Sequence, residues 1–369
     1  MKKYLLIIII VSAVLLSIIY LNGLNCGDAC AGDSENPKPE YTLNFGVGGP
    51  RINFINELKF AKELDLKNAE IGFSWNKIET QKGVFDFSEI DYVMEELSNA
   101  GISQSNMCFQ IKGLRSNAHG ITGYLRTAQQ EQAFKDLLSE FIDRYPNVEC
   151  YLIIREMNNE NFPGSAADYA KLLVISNEVI PEDYTIVFAG LPYDLKESIP
   201  KLETFLEDTI AELPKDKKYF DMYRIHMHST PKSNGIARME EAFNQYSSQL
   251  SGVYENIDLF FETSSYTGQP YPGSGDYPRQ TEQDQAEDLI LRLEKMRELG
   301  VKATFIEGGI YTRPYFLFIN TVPTGHLDFF EHCGIVRNCE VDDDSDDGQC
   351  TTGEPKKAFY AVKDWITQD

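Results

Sequence analysis

The sequence predicts an α/β fold, a single closed (β/α)8 TIM barrel preceded by an N-terminal transmembrane or signal segment. From residue 41 onward, short apolar strands alternate with amphipathic helices, a pattern typical of parallel βαβ units. The number of predicted strands is eight, which is the number that such a barrel requires. A long apolar run near the N-terminus predicts the leading segment.

This apolar run is the first element of the chain. It covers residues 4–21, directly after Lys2 and Lys3. A membrane-spanning helix needs ~17–25 residues, whereas the apolar part of a cleavable signal peptide has ~7–15. The lysines favour a cytoplasmic N-terminus, so the body should lie outside the cytoplasm. We expect residues 1–24 to be a signal-anchor or, alternatively, a signal peptide, and membrane contact through this segment only.

A barrel domain is expected to follow. Residues 25–40 are rich in Gly, Asp, Ser, Asn and Pro, which predicts a linker. Residues 41–369 then form the barrel, in which the helices carry apolar stripes with a period of 3.6 residues that can lie against the barrel wall. The expected strands are 41–46, 69–73, 105–110, 151–154, 185–189, 223–226, 259–261 and 303–306.

The charge of the chain limits the class of partner. There are 57 acidic against 34 basic residues, a formal net charge of -23. A field of this sign repels nucleic acid, and no basic run with interleaved aromatic residues opposes it. We therefore expect a neutral ligand, or a ligand reached through a local cationic pocket, and no nucleic-acid partner.

The seven cysteines suggest disulfide bonds if the body lies outside the cytoplasm. Cys26 with Cys30, and two of the three C-terminal cysteines, are plausible pairs. Cys108 and Cys150 fall in predicted core strands, where we expect buried thiols. The odd count leaves at least one cysteine free or paired between molecules.

An acidic insertion at 339–350 is bounded by cysteines and overlaps a calcium-loop pattern. The spacing D-x-S-x-D-G-x5-E places oxygen ligands at regular intervals, as calcium requires. The alternative is a solvated acidic turn closed by a Cys339–Cys350 bond. Calcium is the one cofactor that the sequence suggests, and its ligands would be Asp343, Ser345, Asp347 and Glu354.

Two glutamates are the candidate catalytic residues. The active site of a (β/α)8 barrel lies at the C-terminal ends of its strands. Glu156 follows the fourth predicted strand and Glu262 follows the seventh. Glycoside hydrolysis uses two carboxyl groups, one that protonates the leaving oxygen and one that attacks the anomeric carbon or activates water. The pair predicts a hydrolase of O-glycosidic bonds.

The motifs around these glutamates resemble those of the clan A glycoside hydrolases, the superfamily of cellulases, β-xylosidases and β-galactosidases. The similar segments are residues 73–79 with 83–87 after strand two, 155–158 after strand four, 261–263 after strand seven, and the closing 355–360. The resemblance, as a divergent member, implies a retaining glycosidase acting on a poly- or oligosaccharide. It implies that Glu156 is the acid/base and Glu262 the nucleophile.

The same resemblance and the predicted βα loops give a set of candidate sugar-binding residues. Aromatic rings in these loops can stack on sugars, and polar side chains beside the two glutamates can position hydroxyl groups. The set is Trp75, Arg155, Asn158, His226, Tyr266 and Tyr311.

Four support positions depart from the family pattern. The Asn before the acid/base is Arg155, and the strand-two Arg that supports the nucleophile is Glu70. The strand-six His-x-Tyr pattern ends in His228, and Phe305-Ile306-Glu307 replaces the strand-eight Trp. Because a buried charge without a partner is costly, we expect Glu70 and Arg155 to pair across strands two and four.

These departures leave alternatives open. One is a non-catalytic carbohydrate-binding barrel, anchored at the cell surface, which the altered positions favour and the two retained glutamates oppose. Another is a barrel enzyme of different chemistry that uses Glu307 or Glu70. Glu160 is an alternative to Glu156 for the strand-four carboxylate.

Overall fold

Eight parallel strands form a closed barrel in the computed structural model of the chain. The structure describes residues 40–46, 58–156, 162–192, 204–228, 235–251, 254, 257–265, 280–301, 303–306 and 354–367. All of them lie in one compact unit, Lys38–Asp369. The strands are β1 (Glu40–Gly46), β2 (Asn68–Phe73), β3 (Met107–Ile111), β4 (Cys150–Glu156), β5 (Thr185–Pro192), β6 (Met222–His228), β7 (Asp258–Ser264) and β8 (Ala303–Ile306).

Each strand pairs with its neighbour in sequence, and β1 pairs with β8 to close the barrel. This order confirms the predicted (β/α)8 barrel, and each of the eight predicted strands overlaps an observed one. The helices alternate with the strands: helical residues 58–63 form α1, followed by α2 (Ser88–Asn99), α3 (Ala128–Arg144), α4 (Ala166–Val179), α5 (Phe205–Glu212), α6 (Ile236–Ser251), α7 (Glu282–Glu298) and α8 (Lys357–Thr367).

Side-chain caps explain where several helices begin. Ser165 and Thr281 each form a capping box with an acidic residue three positions on, Asp168 and Asp284 respectively. Thr127 accepts a hydrogen bond from the backbone N–H of Gln130 at the start of α3. These caps satisfy backbone donors that a helix N-terminus leaves without partners, so they fix the first residues of α3, α4 and α7.

The main hydrophobic core lies between the barrel wall and the ring of helices. Outward-facing strand residues pack on the apolar stripes of the helices, as Phe73 does on Phe141 with 4.2 Å between ring centroids. Helix α8 completes the ring, because Phe359 packs on Phe60 of α1 and Trp365 donates a hydrogen bond to Glu294 of α7. The period-3.6 stripes are therefore core surfaces, as expected.

A disulfide joins two neighbouring strands of the wall. Cys108 of β3 and Cys150 of β4 are bonded, with 4.5 Å between their Cα atoms. The expectation of two buried thiols is therefore wrong. The two residues occupy matching positions on paired strands, since Phe109 pairs with Tyr151 one position further on. The other five cysteines lie outside the described residues.

The expected signal-anchor and linker, residues 1–24 and 25–40, lie outside the described residues except for Glu40. Within the described part of the chain, none of the helices combines the length and the apolarity that crossing a membrane requires.

Candidate active site

Glu262 lies at the C-terminal end of β7, where its side chain is fully buried. Two side chains of β6 contact it. Arg224 Nη2 forms an ion pair with Glu262 Oε2, and His226 Nε2 lies 3.0 Å from the same oxygen. The parallel pairing of β6 and β7 explains this arrangement, because His226 is in register with Glu262 and Arg224 is two residues earlier on the same face. The candidate nucleophile is therefore held by two neighbouring strand residues.

Arg224 also contacts a second carboxylate. Its Nη1 donates to Glu70 of β2 at 2.8 and 3.1 Å from the two carboxylate oxygens. Gln110 of β3 donates to Glu70 Oε1, and the Arg224 guanidinium lies 5.3 Å from the centroid of the Phe260 ring. The Glu70, Gln110 and Arg224 side chains are almost completely inaccessible to solvent. We call Glu70, Gln110, Arg224, His226 and Glu262 the buried polar cluster.

This cluster revises the expectation for Glu70. Arg224 supplies a cation to Glu70 from β6, so Glu70 has a charged partner that the sequence did not predict. The Arg155 side chain lies outside the description, so the predicted Glu70–Arg155 pair stays a prediction. Glu70 is buried and forms an ion pair with Arg224. This placement argues against the alternative in which Glu70 is itself the catalytic residue of a different reaction.

A glycine on β5 makes room for His226. An ideal Cβ placed on Gly190 would lie 2.2 Å from His226 Cδ2 and 2.3 Å from His226 Nε2. Such distances are far inside van der Waals contact, so any side chain at this position would displace the imidazole. Gly190 is also in register with Glu156 of β4. The glycine therefore sits between the strand that ends in Glu156 and the histidine that contacts Glu262.

Helix α7 fixes the ends of β6 and β7 from outside the barrel. Arg292 is fully buried, and its Nη1 donates to the Met227 carbonyl at 3.2 Å. Thr263 donates to the same carbonyl at 2.8 Å, and Gln285 donates to the Ser265 carbonyl at 3.1 Å. These bonds hold the backbone just after His226 and just after Glu262.

Strand β4 changes direction just before Glu156. Ile154 has a φ of 69°, a conformation that is strained for a β-branched residue, and the pairing of β4 with β5 shifts register between Ile153 and Glu156. Tyr169 of α4 donates to the Ile153 carbonyl at 2.7 Å. Bulges of this kind re-aim side chains at the rims of barrels. The strained residue thus lies immediately before Arg155 and Glu156, the last two residues of β4.

Trp75 has a structural placement. It is completely buried, and its ring packs near Phe134 and His119. Its Nε1 donates to Glu79 at 2.7 Å, and Glu79 also bonds the Gly83 N–H and His119. The expected sugar-stacking role is not supported, because neither face of the indole is exposed. The ring instead secures the hairpin formed by Glu79–Gln81 and Val84–Phe85.

The hydrogen bonds to Glu79 change its acidity. Burial raises the pKa of Glu79, but the bonds from the Gly83 backbone, His119 and Trp75 outweigh burial and bring the pKa below its ordinary value of 4.5. Glu79 is therefore held as a carboxylate that ties two loops together at the C-terminal side of the barrel.

Several predicted site residues fall outside the described part of the chain. They are Asn158, Tyr266, Tyr311, the alternative carboxylates Glu160 and Glu307, and the calcium-loop residues Asp343, Ser345 and Asp347. Glu354 is described and exposed. Among the described residues, no group of three or more His, Cys, Asp or Glu side chains could hold a metal ion. The calcium site stays a prediction.

Sequence reasoning missed three residues of the site: Arg224, Gln110 and Gly190. Arg224 had a signal, because a cation two positions before His226 in an apolar strand must share its face. Gln110, a polar residue inside a predicted core strand, had a similar signal. Gly190 had none, since its importance depends on how close β5 lies to the His226 ring.

Comparison with known proteins finds similarity to glycosidases. The family 42 glycoside hydrolase profile, described as Beta-galactosidase, matches residues 50–105. Among curated proteins, none matches the sequence. A family 39 glycoside hydrolase from the gut symbiont Bacteroides cellulosilyticus WH2 is similar in structure, with a TM-score of 0.61 and 13% identity over 89% of this chain. This chain spans 64% of that protein's length.

Two further solved structures support the same comparison. A glucosidase from Croceicoccus marinus has a TM-score of 0.60 and 12% identity, covering 89% of this chain and 67% of its own. A beta-glucosidase from Exiguobacterium marinum has a TM-score of 0.55 and 10% identity, covering 86% of each chain. Identities this low show the fold alone. The chain therefore has the barrel fold of the clan A glycoside hydrolases, which confirms the predicted resemblance at the level of the fold.

Proposed function

We propose that the protein is a retaining glycoside hydrolase in which Glu262 is the nucleophile and Glu156 the acid/base. The observation that carries the proposal is the placement of Glu262, fully buried at the end of β7 and contacted by Arg224 and His226. A cation beside a carboxylate favours its ionised form, which is the form that attacks carbon. The fold and the position of Glu156 at the end of β4 agree with this assignment.

The reaction follows from two carboxyl groups. The Glu262 carboxylate attacks the anomeric carbon while Glu156 gives its proton to the departing glycosidic oxygen, so one C–O bond forms and one breaks. Water then attacks the anomeric carbon of the glycosyl ester. Glu156 takes a proton from that water, and Glu262 leaves as a carboxylate. No external oxidant, reductant or cofactor is needed.

Arg224 and Glu70 prepare Glu262 for the first step. Arg224 holds a Glu262 oxygen through Nη2, while Glu70, which accepts a hydrogen bond from Gln110, holds Nη1 of the same guanidinium. Because both terminal nitrogens of the Arg224 guanidinium are bonded, the arginine side chain has little conformational freedom. It therefore holds Glu262 in one orientation before the reaction begins. Arg224 thus takes over, from β6, the supporting role that the family resemblance assigned to β2.

An extracytoplasmic location is part of the proposal. The Cys108–Cys150 disulfide is typical of oxidising compartments. The lysines and apolar run at residues 2–21 support export with the body outside. A surface or secreted protein of this kind would meet polymeric or surface glycans, and the N-terminal segment is proposed as its membrane anchor or signal.

Hydrolysis of aryl glycosides and polysaccharides by the full-length chain in detergent tests this function. We expect turnover that Glu262→Gln abolishes for every substrate. Glu156→Gln should lose about 10²–10⁴-fold with alkyl or sugar leaving groups but much less with dinitrophenyl glycosides, whose departure needs no proton. Saturable glycan binding without turnover, unchanged in both variants, would instead identify a non-catalytic carbohydrate-binding barrel.

A further inference from the structure

One segment of this acidic chain carries a local net positive charge because it lacks acidic residues. The net charge is -23, yet residues 97–130 contain no Asp or Glu. They do contain Lys112, Arg115, His119 and Arg126, all of which fall in the connection between β3 and α3. Loops that follow barrel strands lie at the mouth, on the side of the candidate active site. The cationic segment is therefore placed where a substrate enters.

Lys112 lies across the inner face of β2. Its backbone N–H donates to the Phe73 carbonyl at 2.9 Å. An ideal Cβ on Gly72 would lie 2.5 Å from Lys112 Cε and 2.7 Å from Gln110 Oε1. Gly72 is two residues beyond Glu70, so its Cβ direction is the one that faces the buried polar cluster. The lysine side chain thus enters the barrel mouth directly above that cluster, in the space that glycine leaves.

The rest of the segment borders the connection that follows β4. An ideal Cβ on Gly123 would lie 2.3 Å from Pro163 Cγ, so the two connections are in contact. Arg126 is exposed and lies over the Tyr124 ring, 4.5 Å from its centroid, and Arg115 is exposed on the hairpin formed by Arg115–Ser116 and Ile121–Thr122. Both guanidinium groups therefore belong to a connection that contacts the one following β4, the strand that ends in Glu156.

We propose that Lys112, together with Arg115 and Arg126, forms a subsite for the anionic group of an acidic sugar. This inference rests on the proposed function and names its substrate class, a glycan that carries a carboxylate or sulfate. Lysine at the inner position provides a point charge close to the reacting carboxylates, and the guanidinium groups at the rim suit the planar oxygens of a neighbouring sugar acid. A neutral glycan would gain nothing from three cations in a protein that otherwise repels anions.

Binding measured by calorimetry tests the subsite apart from catalysis. The probes are oligosaccharides of glucuronate, galacturonate and mannuronate, each compared with its carboxyl-reduced neutral counterpart, and a sulfated neutral oligosaccharide. The full-length chain should bind at least one acidic probe about tenfold more tightly than its neutral counterpart, and added salt should reduce this preference.

Single substitutions then show which residues cause the preference for acidic over neutral probes. Lys112→Gln and the exposed Arg126→Gln should each remove most of it, whereas Lys217→Gln, which removes an exposed cation at the opposite end of the barrel, should leave it unchanged. A preference for sulfated probes that Lys112→Gln removes supports the same subsite with sulfate as its ligand. Thermal melting establishes that each variant is folded.

Failure of the subsite is distinguishable from failure of the proposed function. Equal affinity for acidic and neutral probes, or acidic binding that survives both substitutions, overturns the subsite even if neutral glycans are hydrolysed. Charge-dependent binding that Lys112→Gln abolishes, without hydrolysis of any glycan, upholds the subsite and contradicts the glycosidase assignment.

Discussion

Arg224 is the residue on which the site most depends. It is the described cation that touches both Glu70 and Glu262, and all three side chains are buried. Transfer of two carboxylates from water into a barrel interior is costly unless each is paired and hydrogen-bonded. Replacing Arg224 by an apolar residue would leave two such charges without this cation and would destabilise the fold as well as the site.

Gly190→Ala tests whether the space beside β5 serves His226. The new Cβ would force the imidazole away from Glu262, and a displacement of about 1 Å can cost about 10²-fold in rate. We expect kcat/KM to fall by about 10–10²-fold. In the His226→Ala background the same substitution should have little further effect on kcat/KM, because the two changes share one cause. If the two substitutions lowered kcat/KM independently, so that their fold-losses multiplied in the double variant, the proposed role of Gly190 would be contradicted.

Glu79→Gln tests the pH dependence of stability. A carboxylate whose pKa is lowered on folding stabilises the native state above its unfolded pKa, and this stabilisation is lost as the pH falls. We expect the variant to be about 1–3 kcal/mol less stable than the wild type at pH 7, with the gap in unfolding free energy narrowing below about pH 4. Glu182→Gln, at an exposed site, controls for the loss of one charge. A gap that widens in acid would refute the role of Glu79.

At the scale of elements, the strands carry their chemistry on their last residues. β4 and β7 continue to Glu156 and Ser264, beyond the apolar runs 151–154 and 259–261 from which they were predicted. Strand hydrogen bonding thus extends into polar sequence, where the alternation of faces still holds for Phe260 and Glu262. This extension brings Glu262 into register with His226, and the bulge at Ile154 resets the register for Glu156.

Tyr169→Phe tests the bulge. The substitution removes the hydroxyl that bonds the Ile153 carbonyl and keeps the aromatic ring. We expect a loss of about 1–3 kcal/mol in stability, because a buried carbonyl loses this donor, and a fall in kcat with KM nearly unchanged. Tyr184→Phe is the matched control, since Tyr184 donates to the Pro146 carbonyl at the same 2.7 Å but before β4 and β5 begin. Equal effects of both variants on kcat would count against a positioning role.

The disulfide acts on the wall of the barrel. Cys108 and Cys150 are 42 residues apart in sequence. Cross-linking a loop of this length lowers the conformational entropy of the unfolded chain, which raises the free energy of unfolding by about 4 kcal/mol in the chain-entropy model. Cys108→Ala/Cys150→Ala should lower the free energy of unfolding by about 2–4 kcal/mol. Reductant should then lower the free energy of unfolding of the wild type by more than that of the variant, because only the wild type has the Cys108–Cys150 bond to lose. An unchanged melting temperature in the variant would contradict this stabilisation.

At the scale of the whole molecule, sequence periodicity was sufficient for the barrel. Each wall strand is an apolar run and each helix has a stripe, so all eight strands and their order could be predicted. The third strand shows a limit, since it was predicted from residue 105, whereas residues Gln104–Asn106 form a 3₁₀ turn and β3 begins at Met107. Boundaries shift because backbone pairing, not local composition, decides where a strand begins.

The candidate site could be predicted only in part. Glu262 was found because a family-like motif coincides with a strand end, and His226 because it is the first residue of the strand-six pattern. The Glu70–Arg224 pair joins residues 154 positions apart, so nothing local indicates it. Trp75 was misjudged because an aromatic residue in a loop motif can stack on a ligand or fill the core, and only the surrounding packing decides.

The central claim is that Glu262, held by Arg224 and His226, forms a covalent bond to the sugar. Mass spectrometry of the full-length protein after reaction with a 2-deoxy-2-fluoro aryl glycoside of the sugar that it hydrolyses tests this claim most directly. We predict that one glycosyl group is added, that it maps to the peptide containing Glu262, and that Glu262→Gln is not labelled. Hydrolysis that proceeds with inversion and leaves no label, or a label on another residue, would contradict the account.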